Sequence, residues 1–132
     1  MIKHYWLYVL RLEQGKYYVG QTSGKDPNRR IQQHMNGFYS AQWVKKYKPI
    51  EPIEKIDLGI ITKAEADDLE NHRTLQYMKK YSYQNVRGGK YRYSGKYAKI
   101  GHWLFPQQYY YAGLGLSIMT FAFAVLVVEA WK

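Results

Sequence analysis

Five side chains in the first seventy residues could bind an anion or a metal ion, or transfer a proton. Arg30 and His34 are four residues apart, so they would share one face of a helix. Tyr8 and Tyr18 lie in two strand-like segments, and Glu70 lies in a later helical segment. A guanidinium can hold a phosphate, a phenol or an imidazole can transfer a proton, and a carboxylate can ligate a divalent cation. In an ordinary domain the same side chains would be packing or solvated residues.

Three strands are predicted to surround these residues. Segments 4–12 and 16–22 are rich in aromatic and β-branched residues, and Gly15 centres a three-residue loop between them. Segment 53–61 alternates like a third strand. The first two segments predict a β-hairpin that carries both tyrosines.

Two helices are predicted from their capping residues. The pair Asp26-Pro27 would open a helix over about 27–36, with Asp as the N-cap and Pro as the first helical residue. Residues 62–65, Thr-Lys-Ala-Glu, match a capping box, which predicts a helix of roughly 63–80. These helices would carry Arg30 and Glu70.

The charge of the chain favours a polyanionic partner. The 132 residues include 20 Lys and Arg against 10 Asp and Glu, which gives a formal net charge of +10. A small basic domain of this kind most often binds nucleic acid, and an anionic membrane surface is the alternative. The chain contains no cysteine, which excludes disulfides and thiolate zinc sites.

Five short motifs together resemble the GIY-YIG nuclease family, in the order that the family has them. They are WLY at 6–8, YVG at 18–20, RRIQQH at 29–34, ADDLENHRTLQYM at 66–78 and NVRGG at 85–89. The resemblance implies an α+β fold, with a small three-stranded antiparallel sheet flanked by helices. It also implies hydrolysis of DNA phosphodiester bonds with Mg²⁺, or Mn²⁺ in its place.

The resemblance also implies a role for each of the five side chains. Tyr8 is favoured as the general base that deprotonates the attacking water, with Tyr18 as a phosphate contact. Arg30 would hold the scissile phosphate, and His34 would donate a further hydrogen bond or assist proton transfer. Glu70 would be the only protein ligand of the metal ion.

Other interpretations of these motifs stay open. Gly20 would let the substrate phosphate approach the backbone closely, or it would only end a strand. Asn85 would orient a phosphate or backbone group, or it would cap a helix. Glu70 could form a solvated i,i+3 pair with Arg73 instead of binding a metal ion. Asp67 and Asp68 are predicted to be solvated residues of the first helical turn.

Two features depart from the family pattern. The loop between Gly20 and Arg30 is about two residues longer than is usual, so Arg30 must still reach the site. Gln21 stands where some relatives carry a lysine, which puts any assistance from a lysine in doubt.

Basic and aromatic residues outside the five motif side chains are predicted to contact nucleic acid. Residues 40–48 would form one or two helical turns, and residues 85–96 look like a loop. Nonspecific phosphate contacts are predicted for Lys45, Lys46, Lys48, Arg87, Lys90 and Arg92, and base stacking for Trp43, Tyr47, Tyr91 and Tyr93.

The segment 109–131 is predicted to be a transmembrane helix. Residues 109–128 carry no charge, and twenty helical residues span about 30 Å, the thickness of a hydrocarbon core. Basic residues concentrate before this segment, so the positive-inside rule predicts a cytoplasmic nuclease domain. A stripe of small residues suggests a homo-oligomer through one helical face: Gly113, Ser117, Thr120 and Ala124.

The sequence therefore predicts three parts: a nuclease domain over 1–89, a basic Tyr-rich linker over 90–108 and the membrane segment. The function expected is that of a Mg²⁺-dependent DNA endonuclease of low sequence specificity, held at the cytoplasmic face of a membrane. One alternative is a membrane tether that binds nucleic acid without cleaving it. Another is a soluble nuclease whose last segment is core or an oligomerisation helix.

Overall fold

The computed structural model describes residues 1–38 and 40–108. These residues belong to two compact units: Met1–Ser94, and a second unit that begins at Gly95. The first unit is an α+β domain with one mixed sheet and three helices, and the described part of the second is a β-hairpin. The predicted α+β class is confirmed.

The sheet of the first unit has four strands in the order β3-β1-β2-β4. They are β1 (Ile2–Leu12), β2 (Tyr17–Ser23), β3 (Pro49–Thr62) and β4 (Val86–Gly88). β1 pairs antiparallel with both β2 and β3, whereas β4 pairs parallel with β2. The predicted three-stranded antiparallel arrangement exists, but the description of the whole sheet as antiparallel is wrong.

Strand β4 has no signal in the sequence. It contains only three residues, ends in a glycine and has no alternating pattern. It pairs with β2, which is distant in the sequence: Val86 lies opposite Tyr17 and Gly88 opposite Val19. A parallel strand of this length is defined by its neighbours and not by its own residues.

Three helices follow the predicted positions closely: α1 (Asn28–Met35), α2 (Gln42–Lys46) and α3 (Lys63–Tyr81). The capping box that opens α3 is confirmed, since Thr62 accepts from the backbone N–H of Glu65 and Glu65 accepts from that of Thr62. α1 begins one residue later than predicted. Asp26 still accepts a hydrogen bond at its entry, from the backbone N–H of Asn28 at 2.8 Å.

The two faces of the hairpin contact different helices. Tyr8 and Tyr18 share one face, where both rings pack beside His34 of α1. Tyr17 and Gln21 share the opposite face, where they contact Tyr77 and Asp67 of α3. Because side chains alternate along a strand, β2 joins both helices within five residues.

A hydrophobic core fills the α1 side of the sheet. Leu10 and Leu12 of β1 pack there with Ile31 of α1 and with Trp43 and Val44 of α2. The predicted core contacts of α1 are confirmed, because Met35 packs against the same cluster. This core anchors α1 next to the hairpin.

The described part of the second unit is an antiparallel hairpin of β5 (Tyr97–Ile100) and β6 (Trp103–Pro106). Gly101, with a φ of 60°, lies in the turn between the strands. The predicted loop over 85–96 ends before β5, although it contains the short strand β4. The predicted linker over 90–108 contains this hairpin.

Residues 1–38 and 40–108 contain no helix that is both long and apolar enough to cross a membrane. The predicted transmembrane helix at 109–131 and its stripe of small residues lie outside the described residues.

Candidate active site

Four of the five predicted catalytic side chains line a single cavity of about 460 Å³ in the first unit. Tyr8 and Tyr18 come from the hairpin, Arg30 from α1 and Glu70 from α3. These groups are separated by up to 62 residues along the chain, and only the tertiary fold brings them to one wall. The remaining lining residues include Gln21, Ser40, Lys63 and Arg92.

The two tyrosines are neighbours because of the strand register. Tyr8 lies opposite Gly20 and Leu10 lies opposite Tyr18, so both tyrosine side chains point to the same face. Their ring centroids are 6.4 Å apart. The Tyr8 side chain is almost completely buried at the base of the cavity.

Gly20 makes room for Tyr8. A Cβ atom added at Gly20 would lie 2.4 Å from the Tyr8 hydroxyl and 2.4 Å from its Cζ atom. Gly20 also lies inside β2, so it does not end the strand. The structure thus gives Gly20 a packing role that neither interpretation of the sequence included.

His34 supports Tyr8 from behind. It is fully buried, and its Nε2 atom shares a 2.8 Å hydrogen bond with the Tyr8 hydroxyl. Its Nδ1 atom lies 3.2 Å from the Ser40 hydroxyl. Burial, aided by the charge of Arg30, lowers the pKa of His34 to about 4. The imidazole is therefore neutral at pH 7, with one nitrogen able to accept a proton.

Burial also keeps the two tyrosines protonated. It raises the pKa of Tyr8 well above its usual range, and the nearby Tyr18 adds to the effect while Arg30 opposes it. Burial and the charge of Glu70 raise the pKa of Tyr18. Both phenols enter any reaction at neutral pH as O–H groups, not as phenolates.

Arg30 reaches the cavity in spite of the long loop before it. The loop is tied to β1, because the Gly24 N–H donates to the His4 carbonyl at 3.0 Å and Trp6 Nε1 donates to the Gly24 carbonyl at 3.1 Å. Arg30 donates to the neutral Gln33 side chain at 3.1 Å. The ion pairs among the described residues do not include Arg30, so its charge can serve an anion.

Glu70 is held at the end of β4. Its side chain is 6% exposed, and its Oε1 atom accepts from the Gly89 N–H at 2.8 Å. Burial raises the pKa of Glu70, while hydrogen bonds from Gln21 and from Gly89 oppose that rise. Gly88 and Gly89 have no side chains to fill this end of the cavity, and a Cβ at Gly88 would lie 2.5 Å from the Val19 carbonyl.

The alternative pairing of Glu70 with Arg73 is wrong. Arg73 binds Glu54 of β3 instead, with its Nε atom 3.1 Å from Oε2, and Tyr77 donates to the same carboxylate at 2.7 Å. Arg73 and Tyr77 therefore lie on the face of α3 that contacts Glu54 of β3. The buried face contains Ala66, Glu70, Thr74 and Met78.

A chain of three polar residues lies next to Glu70. The Gln21 amide nitrogen donates to Asp67 Oδ1 at 2.6 Å, and Lys63 Nζ donates to the same oxygen at 2.7 Å. Asp67 is predicted to be solvated, and its side chain is about half exposed, but it also accepts these two hydrogen bonds. The i,i+4 spacing of Lys63 and Asp67 could have indicated their pairing, but nothing in the sequence marks Gln21 as its third member.

The oxygen groups near Glu70 fit a Mg²⁺ ion. Mg²⁺ prefers oxygen ligands, keeps several waters and uses few carboxylates. Glu70 and Gln21 both line the cavity, and the Gln21 Oε1 atom is buried with no hydrogen-bond partner among the described residues. A buried acceptor without a partner indicates a missing water or ion. The described residues contain no cluster of three or more His, Cys, Asp or Glu that could hold a metal ion.

Asn85 follows one of its two predicted interpretations, whereas Arg87 does not act as predicted. Asn85 donates to the Tyr81 carbonyl at 2.8 Å and accepts from Lys16 at 2.7 Å, so it caps α3, as its alternative interpretation held. Arg87 is 1% exposed, and its guanidinium donates to the carbonyls of Tyr83 and Tyr93 at 2.7 and 2.6 Å. Its prediction as a surface phosphate contact is wrong, because these carbonyls hold it in the interior.

The other predicted nucleic-acid residues divide by exposure. Lys45, Lys46, Lys48 and Lys90 are exposed, and Arg92 lines the cavity. Trp43 is buried, with its Nε1 atom donating to the Tyr17 carbonyl at 3.0 Å and the Arg87 guanidinium 4.3 Å from its ring centre. Trp43 cannot stack on a base, so that prediction is wrong.

The fold and the cavity define a small nuclease-type domain, in which phenol, guanidinium and carboxylate groups meet in one pocket. Residues 4–84 match the family model of the GIY-YIG catalytic domain. The match covers more than half of the chain, and the protein belongs to the GIY-YIG family. The predicted resemblance is confirmed, and the domain is that of an endonuclease, a hydrolase that acts on DNA. No curated protein and no solved structure matches the chain significantly.

Proposed function

We propose that this protein is a metal-dependent endonuclease that hydrolyses DNA phosphodiester bonds in the cavity of the first unit, with low sequence specificity. The observation that carries the proposal is the meeting of Tyr8, Tyr18, Arg30 and Glu70 at one cavity. A guanidinium and a carboxylate with a bound cation would both offset negative charge on a phosphate in this cavity. Such placement of charge is the main device by which phosphoryl transfer is catalysed.

The charges around the cavity support a nucleic-acid substrate. Lys63 and Arg92 line the cavity, and a second groove of about 520 Å³ shares Arg30 with it. Lys25 and Arg29 line this second groove, and neither belongs to an ion pair of the described residues. A row of cations beside the scissile phosphate would hold the neighbouring phosphates of the strand without reading its bases.

Tyr8 and His34 would act together on the attacking water. The water oxygen bonds to phosphorus, and its proton passes to the Tyr8 oxygen while the Tyr8 proton passes to His34 Nε2 at 2.8 Å. The phosphorus–oxygen bond to one sugar breaks, and the departing oxygen takes a proton from solvent. His34 then releases its extra proton to solvent, which restores the starting state. The products are an alcohol and a phosphate monoester. This relay avoids a free phenolate, which burial of Tyr8 makes costly. The protonated His34 that it forms is short-lived, because burial and Arg30 lower the pKa of His34 to about 4.

Arg30 and Tyr18 would bind the phosphate oxygens. Arg30 offers donors to the developing negative charge, and Tyr18 adds a neutral O–H donor from the same wall. Glu70 would ligate Mg²⁺ or Mn²⁺, and a cation bound there supplies charge stabilisation to the departing oxygen. Ser40 would fix the His34 tautomer by accepting from Nδ1–H, which leaves Nε2 free to accept a proton.

Plasmid nicking tests this function. Purified full-length protein should convert supercoiled plasmid to nicked circles when Mg²⁺ is present, and EDTA should abolish the reaction. Glu70→Gln keeps the shape of the side chain but removes its charge, and we expect more than a ~100-fold loss of nicking. Glu13→Gln, in the exposed turn after β1, is the matched control and should retain activity. Equal nicking by wild type and Glu70→Gln would reject the proposal.

We also propose that residues 109–131 anchor the nuclease to a membrane, with the domain on the cytoplasmic side. The support is the uncharged segment 109–128 and the basic residues that precede it. The protein should stay in the membrane fraction after carbonate extraction, and a chain shortened to residues 1–108 should be released. Release of the full chain would reject the anchor without affecting the nuclease activity.

The small-residue stripe gives this anchor a further expectation. Close packing of Gly113, Ser117, Thr120 and Ala124 would pair two anchor helices. Cross-linking in detergent should therefore trap a dimer that Gly113→Leu with Ser117→Leu loses. A monomer in the unsubstituted chain would reject pairing through this face.

A further inference from the structure

Gln21 lines the same cavity as Glu70, and Asp67 fixes the orientation of its amide. Its amide nitrogen donates to Asp67 Oδ1 at 2.6 Å, and a carboxylate oxygen can only accept. This contact therefore assigns the nitrogen and the oxygen of the amide. Lys63 binds the same Asp67 oxygen at 2.7 Å and holds the carboxylate in place.

The oxygen of this amide has no partner among the described residues. Gln21 Oε1 is the buried side-chain atom of the described chain that makes no hydrogen bond. Leaving such an acceptor unpaired costs about 1–3 kcal/mol, so a missing partner is expected at this position. Gln21 lines the same cavity as Glu70. The partner of its oxygen could therefore be a group that is present only when a metal ion is bound in the cavity.

We propose that Gln21 is a positioning residue for the metal ion, whose carbonyl oxygen accepts a hydrogen bond from a water of the cation bound to Glu70. The Asp67–Lys63 pair keeps the amide turned so that its oxygen is available. The inference rests on the proposed function, because it requires Glu70 to bind the cation. It deepens that function by adding a residue of this chain to the support of the metal ion.

A glutamine suits this task better than a lysine would. An ammonium has three donors and no acceptor, so it would repel a cation and could not accept from its water. A carbonyl oxygen carries a partial negative charge that attracts a cation, and it can accept a hydrogen bond from the water of that cation. Such groups outside the direct ligands commonly change metal affinity by about 10–100-fold when they are removed.

Manganese binding to the free protein tests the proposal without catalysis. Mn²⁺ would be titrated into full-length protein in the absence of DNA, with free Mn²⁺ followed by electron paramagnetic resonance. Gln21→Met keeps the length of the side chain and removes both polar atoms, and we expect about 10–100-fold weaker binding. Gln32→Met, on the exposed face of α1, is the matched control and should bind as the wild type does.

A conservative variant separates a metal role from a purely structural one. Gln21→Glu supplies an acceptor oxygen but repels Asp67, so its melting temperature should fall while its Mn²⁺ affinity stays at or above that of the wild type. A purely structural Gln21 predicts that both substitutions act on the melting temperature alone. If Gln21→Met does not fold, Asp67→Asn loosens the amide and should weaken Mn²⁺ binding by a smaller factor.

The outcomes distinguish this inference from the proposed function. Glu70→Gln should abolish Mn²⁺ binding at this site. If it does so while Gln21→Met and Asp67→Asn bind Mn²⁺ as the wild type does, the role of Gln21 is overturned and the metal function stands. If Glu70→Gln binds Mn²⁺ normally, the metal function itself is overturned, and the role of Gln21 falls with it.

Discussion

The Tyr8 hydroxyl and His34 Nε2 lie 2.8 Å apart in the interior of the domain, one on β1 and the other on α1. Tyr8 lines the cavity, whereas His34 lies behind it. The pair therefore connects the cavity to a buried proton acceptor. This relationship makes the chemistry of Tyr8 depend on a residue that substrate does not need to touch.

His34 should make the domain sensitive to acid. Its pKa is about 4 in the folded state and 6.5 when exposed, so between these values the unfolded chain binds a proton that the folded chain does not. The free energy of unfolding should fall as the pH drops from 6.5 towards 4, by up to about 3 kcal/mol. Urea denaturation across this range would measure it. His34→Gln should show a shallower decline, and an unchanged slope would contradict the assignment.

Tyr8→Phe should lose activity and keep its fold. The substitution removes the hydroxyl that would pass a proton to His34, so nicking of supercoiled plasmid should fall by more than ~100-fold. One buried hydrogen bond is lost, and the unfolding free energy should change by only about 1–2 kcal/mol. Tyr17→Phe, on the opposite face of β2, is the control and should nick normally. A Tyr8→Phe protein with full activity would exclude Tyr8 from proton transfer.

Gly20→Ala should disrupt the site through Tyr8. The new methyl group would lie 2.4 Å from the Tyr8 hydroxyl, so the ring must move and the core must adjust at a cost of about 1–3 kcal/mol. Denaturation of Gly20→Ala, Tyr8→Leu and the double variant forms a cycle that isolates this contact. The double variant should be more stable than the sum of the two single effects predicts. Strict additivity would show that the methyl group clashes with something else.

Arg87 should contribute to stability, whereas Lys90 should not. Arg87→Leu leaves several interior carbonyls without their donor, and the unfolding free energy should drop by about 3 kcal/mol or more. Lys90→Ala removes an exposed charge and should leave the unfolding free energy within about 0.5 kcal/mol. Thermal denaturation of both variants measures the difference. A stable Arg87→Leu protein would contradict the structural role.

Lys25 and Arg29 should contribute to the salt dependence of DNA binding. Binding of the inactive Glu70→Gln protein to duplex DNA would be measured at several salt concentrations by fluorescence anisotropy. Each phosphate contact contributes about 0.9 to the slope of log K against log salt, so losing both should reduce the slope by roughly 2. Lys79→Ala with Lys80→Ala, in the last turn of α3, removes equal charge and should change it less. If the variant without Lys25 and Arg29 had the same slope as its parent, the DNA strand would not contact these two residues.

The sequence by itself determined the elements that carry the site. The hairpin, the helix with Arg30 and the helix with Glu70 follow from alternation, turn residues and a capping box, which are local preferences of the backbone. The order of the five motifs also determined the family, which the match over residues 4–84 confirms. These features depend on residues near each other in the chain, so they can be read without coordinates.

Only the tertiary structure decided what each site residue contacts. The i,i+3 spacing allows Arg73 to pair with Glu70, but Arg73 binds Glu54 of β3 instead. The sequence predicts Arg87 to be a surface cation, but its guanidinium is buried and donates to backbone carbonyls. The exposure of a side chain depends on which distant strand covers it, and spacing along the chain does not contain that information.

The role of Gly20 and the connection from Gln21 to Lys63 were decided in the same way. Gly20 is a glycine because the Tyr8 ring, twelve residues earlier, occupies the space of its Cβ. Gln21 meets Asp67 across 46 residues because strand alternation turns it towards α3. The sequence specified the chemical groups, and packing between distant elements determined their partners, since close contacts exist only after the chain has folded.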